Sequence, residues 1–211
     1  MKILAIRGQN IASIEGGFEL DFQREPLASA GLFAIVGPTG AGKSTLLDVL
    51  CLALYGKTPR LEKARENNVA ISEAGGKALS PHDSRFLLRR GSAGGYAEVD
   101  FMALSGDPYR ARWAVRRARD RADGALQDAE VRLYNLRSGK EEGGKKGELW
   151  SRIVQLVGLS FEQFTRSVLL AQGDFATFLK AAQADKAEIL EKLTGTEIFG
   201  RISSELYRKS K

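Results

Sequence analysis

An α/β fold of the P-loop type is predicted by three features in succession. A continuous apolar run, Leu32–Val36, reads as a buried central strand. The octet Gly37-Pro38-Thr39-Gly40-Ala41-Gly42-Lys43-Ser44 follows it at once and fits G-x-x-x-x-G-K-[ST]. From Lys43 to Tyr55 nearly every residue beyond Thr45 is apolar, which predicts a helix buried on most of its circumference. Its only interior charge is Asp48.

Two shorter runs, Lys2–Ile6 and Phe18–Phe22, precede these and read as strands because Gly and Asn bound them. Glu62–Gly95 mixes charges, glycines and a proline without periodicity, so a long, mostly irregular insertion is expected there. Ala97–Leu104, Tyr109–Arg117 and Ala129–Asn135 alternate apolar with polar residues and predict a three-stranded antiparallel unit, ahead of a Gly/Lys-rich loop at Ser138–Gly147. Helical patterns dominate from Leu149, interrupted by the strand-like run Ser167–Ala171. Ile189, Leu193, Phe199, Ile202 and Leu206 then follow at spacings that suit a packed helix.

The chain has 211 residues, 43% of them hydrophobic, enough for one substantial core. No apolar stretch is long enough to span a membrane, and the N-terminus is charged too early for a secretory signal, so a cytoplasmic location is expected. One cysteine, Cys51, excludes an internal disulfide and a zinc cage. Lys and Arg number 32 against 26 Asp and Glu, a net charge of +6 that only weakly favours an anionic partner. Distribution says more: Arg110, Arg112, Arg116, Arg117, Arg119 and Arg121 fall close together, and Arg85, Arg89 and Arg90 form a second group.

The octet carries the chemistry. Its glycines let successive N–H groups turn toward one point, where, with the positive end of the following helix, they hold phosphate oxygens. Gly37, Thr39, Gly40, Ala41, Gly42, Lys43, Ser44 and Thr45 are therefore the expected ATP-binding residues. Lys43 is expected on the β- and γ-phosphates, the Ser44 hydroxyl on Mg²⁺, and Thr45 on the α-phosphate. Hydrolysis further requires an Asp after an apolar strand and a group that orients water. The best apolar run after the octet, Val168-Leu169-Leu170-Ala171, ends instead in Gln172, whose amide can coordinate Mg²⁺ and bond the attacking water. Gln172 thus stands with Lys43 as a candidate catalytic residue and with Ser44 as a candidate metal ligand. Leu104-Ser105-Gly106-Asp107 looks like the start of a Leu-Ser-Gly-Gly signature. Pro108 and an alternating strand follow it, however, so a hairpin turn is expected.

Arg7-Gly8-Gln9-Asn10, the octet, and above all the stretch Leu159-Ser160-Phe161-Glu162-Gln163-Phe164-Thr165-Arg166 through Ser167-Val168-Leu169-Leu170-Ala171-Gln172-Gly173-Asp174-Phe175 resemble the N-terminal head segment of the SbcC family, SMC-like ATPases of DNA double-strand-break repair. Lys192-Leu193-Thr194-Gly195-Thr196-Glu197-Ile198 extends the likeness. The resemblance implies an ATP-binding-cassette half-head spanning residues 1–195, with an antiparallel β lobe, and the start of a coiled coil at 196–211. It implies that Gln172 is the family's Q-loop glutamine and that Arg7 is a basic residue near the nucleotide. Thr39 stands where the family commonly has Asn. The signature, the Walker B Asp and the catalytic Glu are implied to lie in a C-terminal half beyond the coiled coil, so this segment is expected to hydrolyse ATP poorly alone. The partners implied are that half, a second head, the SbcD nuclease and double-stranded DNA, in a bacterial, nucleoid-associated setting.

On Tyr109–Arg117 the apolar residues Tyr109, Ala111, Trp113 and Val115 face one way, and Arg110, Arg112 and Arg116 the other. A register that pairs apolar with apolar brings Glu98 and Asp100 beside these arginines, so cross-strand ion pairs compete with DNA as their partner. Arg117, Arg119 and Arg121 have only Asp120 and Asp123 nearby in sequence. Two rival functions remain: a self-sufficient P-loop kinase, which needs an acceptor site, a lid and an Asp-bearing strand, and a structural DNA clamp that binds ATP without turnover.

Overall fold

Strand alternation organises the sheet, because its longer strands each have one apolar and one charged face and the sheet keeps the two apart. The computed structural model describes residues 1–64, 80, 82–167 and 208. The chain divides into two units, Met1–Gly158 and Leu159–Lys211, each described by itself. In the first unit β1 (Lys2–Gln9), β2 (Gly17–Asp21), β3 (Gly94–Met102), β4 (Pro108–Arg116), β5 (Glu130–Asn135) and β6 (Lys140–Glu141) form one sheet in the order β2-β1-β3-β4-β5-β6. Every neighbouring pair is antiparallel. The expected three-stranded unit, β3-β4-β5, is therefore half of a six-stranded sheet, which β1 joins by pairing with β3.

The register is the one that apolar matching demands. Ala97 lies opposite Trp113, Val99 opposite Ala111 and Phe101 opposite Tyr109, while Glu98 faces Arg112 and Asp100 faces Arg110. The apolar face, with Val99, Phe101, Ala111, Trp113 and Leu133 essentially inaccessible to solvent, is covered by α1 (Lys43–Tyr55) and α3 (Lys146–Val157). Each such side chain contributes about 1.5–3 kcal/mol by leaving water. Residues Val49–Tyr55 of α1 are all buried, as its composition predicts. At the C-terminal end of α1 the chain passes so close under Trp150 of α3 that a Cβ on Gly56 would meet the indole at 2.7 Å.

The turn at Ser105–Pro108 is a hairpin: Gly106 has φ +84° and its N–H bonds the Ala103 carbonyl, so the signature-like stretch does not open a helix. In the mostly irregular insertion expected at Glu62–Gly95, the end of α2 (Pro59–Ala64) and a 3-10 turn (Ser84–Leu87) are ordered elements, and residues 65–79 and 81 lie outside the described residues. In the second unit α4 (Phe161–Ser167) includes Ser167, which the sequence suggested as the start of a strand. The Ser160 hydroxyl accepts from the Gln163 N–H, and Gln163 Oε1 accepts from the Ser160 N–H, a reciprocal cap that starts α4 there. The remainder of the strand-like run, the predicted C-terminal helix and the boundary at 195/196 fall on residues that are not described.

One expectation is overturned. Leu32–Val36, predicted as the central strand, is not a strand, and Leu32 and Val36 are 93% and 86% exposed. The reason is lateral: a central strand needs neighbours to take its N–H and C=O groups, and among the described residues no strand lies beside it. Phe33 stacks on Phe22, with centroids 5.6 Å apart.

Asp48 is the single buried charge of α1, 4% exposed, with Arg60 Nη2 of α2 at 2.7 Å. Burial raises its carboxyl to about 6, against the smaller opposing pull of Arg60. A carboxyl raised on folding holds its proton in the native state over a pH range where the unfolded chain has lost it. Its contribution to stability is therefore complete below about pH 4 and is lost as pH rises through about 6. Asp48→Asn is accordingly expected to stabilise the protein by about 1–3 kcal/mol at pH 8 and by about half as much at pH 5. Urea denaturation at the two pH values measures the difference, and an equal effect at both would show that Asp48 titrates normally.

Candidate nucleotide-binding site

The first turn of α1, which follows the glycine-rich loop, presents a set of unclaimed donors. The N–H groups of Lys43, Ser44 and Thr45 precede the first intrahelical bond, which runs from the Leu46 N–H to the Gly42 carbonyl at 3.2 Å. No side chain caps this end, and no acidic residue stands in the first turn. These donors and the helix dipole together favour an anion. Gly42 is obligatory on two counts: its φ is +90°, and a Cβ there would lie 2.8 Å from Ile14 Cγ1. A side chain at 42 would push the loop away from the β1–β2 connection or out of the curl that gathers its amides.

Lys43 Nζ donates to the Gly37 and Pro38 carbonyls at 2.7 and 2.9 Å, so the ammonium sits over the loop that its own helix follows. Both bonds are exposed. Gly37, Thr39, Gly40 and Ala41 are exposed, and the Ala41 N–H bonds the Pro38 carbonyl at 3.2 Å. Ser44 is exposed at the helix start. The residues present therefore fit a polyphosphate: a row of amides, one ammonium and one free hydroxyl. A divalent cation fits only as a companion of that phosphate, because no group of three His, Cys, Asp or Glu side chains able to hold a metal exists among the described residues. Ser44 is the protein ligand the structure offers; Gln172 lies outside the described residues.

Sequence reasoning missed the loop that backs this site. Residues Asn10–Gly16 join β1 to β2, and Asn10, with φ +52°, folds the loop by accepting from the Gly16 N–H and donating to the Gly94 carbonyl. Ile14 presses on Gly42, and Ser13 Oγ lies 3.1 Å from Oγ1 of Thr45, itself 1% exposed. The Asn-to-Gly-Gly turn was legible as a turn; its contact with a residue 32 positions away was not.

Arg7 sits elsewhere. On β1 its neighbour Gly8 faces α1, where a Cβ would meet Val49 at 3.3 Å, so Arg7 projects from the opposite face of the sheet. There it binds Glu19 and Asp100 at 2.8 Å and Glu98 at 3.5 Å. It belongs to an ion-pair network on the face away from α1, rather than to the glycine-rich loop. Arg110 reaches Asp100 at 2.7 Å and Arg112 reaches Glu98 at 2.8 Å, cross-strand ion pairs of the kind the alternation predicted. Burial alone would raise the Asp100 carboxyl, but hydrogen bonds and charge from Arg110 and Arg7 outweigh it and hold the group below the usual carboxylate range. The hydrogen bond to Asp100 in turn holds the Arg110 guanidinium above its ordinary value. Arg112 also lies over the Tyr96 ring at 3.8 Å.

The other four arginines differ in kind. Arg117 donates to the Gly124 carbonyl and Arg121 pairs with Asp123 at 2.9 Å. Arg116 and Arg119 are exposed and have no ion pair among the described residues, Arg119 standing at φ +58° in a tight turn. Cys51 is buried, and burial, with the charge of Asp48, pushes its thiol to about 12, which keeps it protonated and unreactive.

No helix among the described residues is long and apolar enough to cross a membrane. The family model for the AAA domain matches residues 5–206. Over the whole chain the sequence is 54% identical to the SbcC subunit of the SbcCD nuclease of Pseudomonas aeruginosa and 47% identical to that of Rhodobacter capsulatus, covering 17% of each of those proteins. It is 31% identical, over 78% of the chain, to a probable DNA double-strand break repair Rad50 ATPase of Aquifex aeolicus, covering 14% of it. The chain thus spans about a sixth of the length of the curated relatives it matches. With its glycine-rich loop at the head of α1, the chain belongs to the AAA-domain family of P-loop proteins and corresponds to the N-terminal segment of SbcC.

Proposed function

We propose that this chain is the ATP-binding half of an SbcC-type ATPase head. The carrying observation is the uncapped start of α1, where three free N–H groups and Lys43 converge behind Gly42. Lys43 holds the β- and γ-phosphates, the amides of Gly40–Ser44 cradle them, Thr39 adds a side-chain oxygen, and Thr45 meets the α-phosphate. Ser44 and Gln172 would hold Mg²⁺, and the Gln172 amide would orient a water. Bound Mg²⁺ supplies charge neutralisation at the phosphates. For Arg7 a nucleotide role requires it to leave carboxylates that are themselves almost wholly buried, so the network is the better assignment.

The exposed apolar segment 32–36 supports the second part of the reading, that a C-terminal half of the natural protein completes the head. That half adds the lateral strands this segment needs, together with the signature, the Walker B Asp and the catalytic Glu. Residues 196–211 begin the coiled coil that links the two halves. Two completed heads then enclose ATP between them, and their engagement governs access of double-stranded DNA to the SbcD nuclease. Of the six clustered arginines, Arg116 and Arg119 are the DNA contacts this reading favours, since Arg110, Arg112 and Arg121 already have carboxylate partners. A self-sufficient kinase finds no support in the site, and a clamp without turnover separates from the head model by hydrolysis.

Three outcomes are expected. Lys43→Ala abolishes ATP binding or weakens it more than tenfold by calorimetry with Mg²⁺, while the circular dichroism spectrum is unchanged; wild-type affinity would remove the phosphate assignment. Hydrolysis by this segment is negligible alone and rises when the C-terminal half is supplied, with new amide protection from hydrogen exchange at residues 32–36. Turnover by the segment alone, or an unprotected 32–36 in the mixture, would count against completion of the head. Charge reversal at Arg116 and Arg119 in the full complex lowers duplex affinity and reduces the log–log salt slope by about 0.9 for each phosphate no longer neutralised. An unchanged slope assigns these arginines to another partner.

A further inference from the structure

We infer that Ser13 is a positioning residue of the nucleotide site: from the β1–β2 loop its hydroxyl fixes the Thr45 hydroxyl and sets the direction in which Thr45 presents its proton to the α-phosphate. The inference rests on the reading of the glycine-rich loop as a nucleotide cradle and deepens it.

Thr45 is the third residue of α1 and is 1% exposed, with Ser13 Oγ 3.1 Å from its hydroxyl oxygen. A threonine in a helix divides between two rotamers, one of which turns the hydroxyl back onto a carbonyl of the preceding turn. An outside hydroxyl at hydrogen-bond distance selects between them. Each hydroxyl carries a single proton, so when Thr45 donates to a phosphate oxygen, the bond between the two residues must run from Ser13 to Thr45. The anion thereby orders a two-hydroxyl relay, and the partner is fixed before the anion arrives.

Ser13 is held independently of the glycine-rich loop. The Ala12 N–H bonds the Leu87 carbonyl at 2.7 Å, and Arg89 donates from its main chain to the Asn10 carbonyl at 2.9 Å and from its guanidinium to the Ser13 carbonyl at 3.2 Å. The same guanidinium pairs with Glu15 at 2.9 Å. Ile14, the next residue, lies against Gly42. The β1–β2 loop is therefore braced by segment 87–89 and touches the cradle at two points, one steric at Gly42 and one polar at Thr45. Ser13 needs no contact with the nucleotide to act.

Because ATP and ADP share the α-phosphate, the effect of Ser13 is distinguishable from that of a γ-phosphate sensor or of general destabilisation. In the full-length protein, Ser13→Ala is expected to weaken Mg²⁺-ATP and Mg²⁺-ADP by the same factor, about three- to tenfold, with little change in the melting temperature measured without nucleotide. Ser13→Thr, which keeps the hydroxyl, restores affinity for both, and in a Thr45→Val background Ser13→Ala has no further effect. Wild-type affinity for both nucleotides in Ser13→Ala overturns the inference, as does loss confined to ATP or an undiminished effect beside Thr45→Val. Lys43→Ala run in parallel separates the two levels. If that variant also binds like wild type, or if the wild type binds neither nucleotide, the cradle itself is misassigned; if only Ser13→Ala is silent, the relay alone fails.

Discussion

Two buried carboxylates on β3, Glu98 and Asp100, set the terms for the rest of the sheet. Each is nearly inaccessible to solvent, and an unpaired carboxylate so placed would cost several kcal/mol. The cost is offset only if guanidinium groups arrive from both neighbouring strands, Arg7 from β1 and Arg110 and Arg112 from β4. A slip of one residue on either side would carry those arginines to the apolar face and leave the carboxylates unpaired. The network thus specifies register more than it adds stability, and it ties β1 to β3 across more than eighty residues of chain.

Register then decides where the glycine-rich loop stands. With the charged side chains confined to one face, the other is apolar from Ile6 to Leu133 and can seat only an apolar helix. That helix is α1, whose N-terminus carries the glycine-rich loop. β1, fixed on one side by Asp100, leads on the other directly into the loop that bears Ser13 and Ile14. One arrangement of strands places both the helix that offers its N–H groups and the connection that braces its first turn.

Much of this was legible in the sequence where the cause is local. Period-two alternation placed Glu98 and Asp100 on the same face as the arginines of β4, because side-chain direction in a strand follows from residue parity alone, whereas the individual pairs, Glu98 with Arg112 and Asp100 with Arg110, follow from the register. The glycine-rich octet and the buried character of α1 are likewise properties of adjacent residues. What could not be read is non-local. Arg7 is one basic residue among many until β1 is known to lie beside β3, and Ser13 is an ordinary turn residue until Thr45 is brought to it. Leu32–Val36 marks the opposite failure, since its residues are those of a central strand. Strand identity, however, is conferred by neighbours, and none are present among the described residues.

That last mismatch bears on how the site would be regulated under the proposed head architecture. The glycine-rich loop is continuous at Lys43 with a buried helix and at Gly37 with an exposed apolar segment, so its two ends are held very unequally. Phosphate binding draws the amides of residues 40–44 together, and anything that pairs with segment 32–36 fixes the other end of the same loop. Two events that restrict one short stretch of backbone share its ordering cost, so each favours the other by the same free energy. Nucleotide affinity and completion of the sheet are then reciprocally linked through Gly37. This linkage needs no conformational change in the antiparallel sheet, which the carboxylate network keeps in a single register.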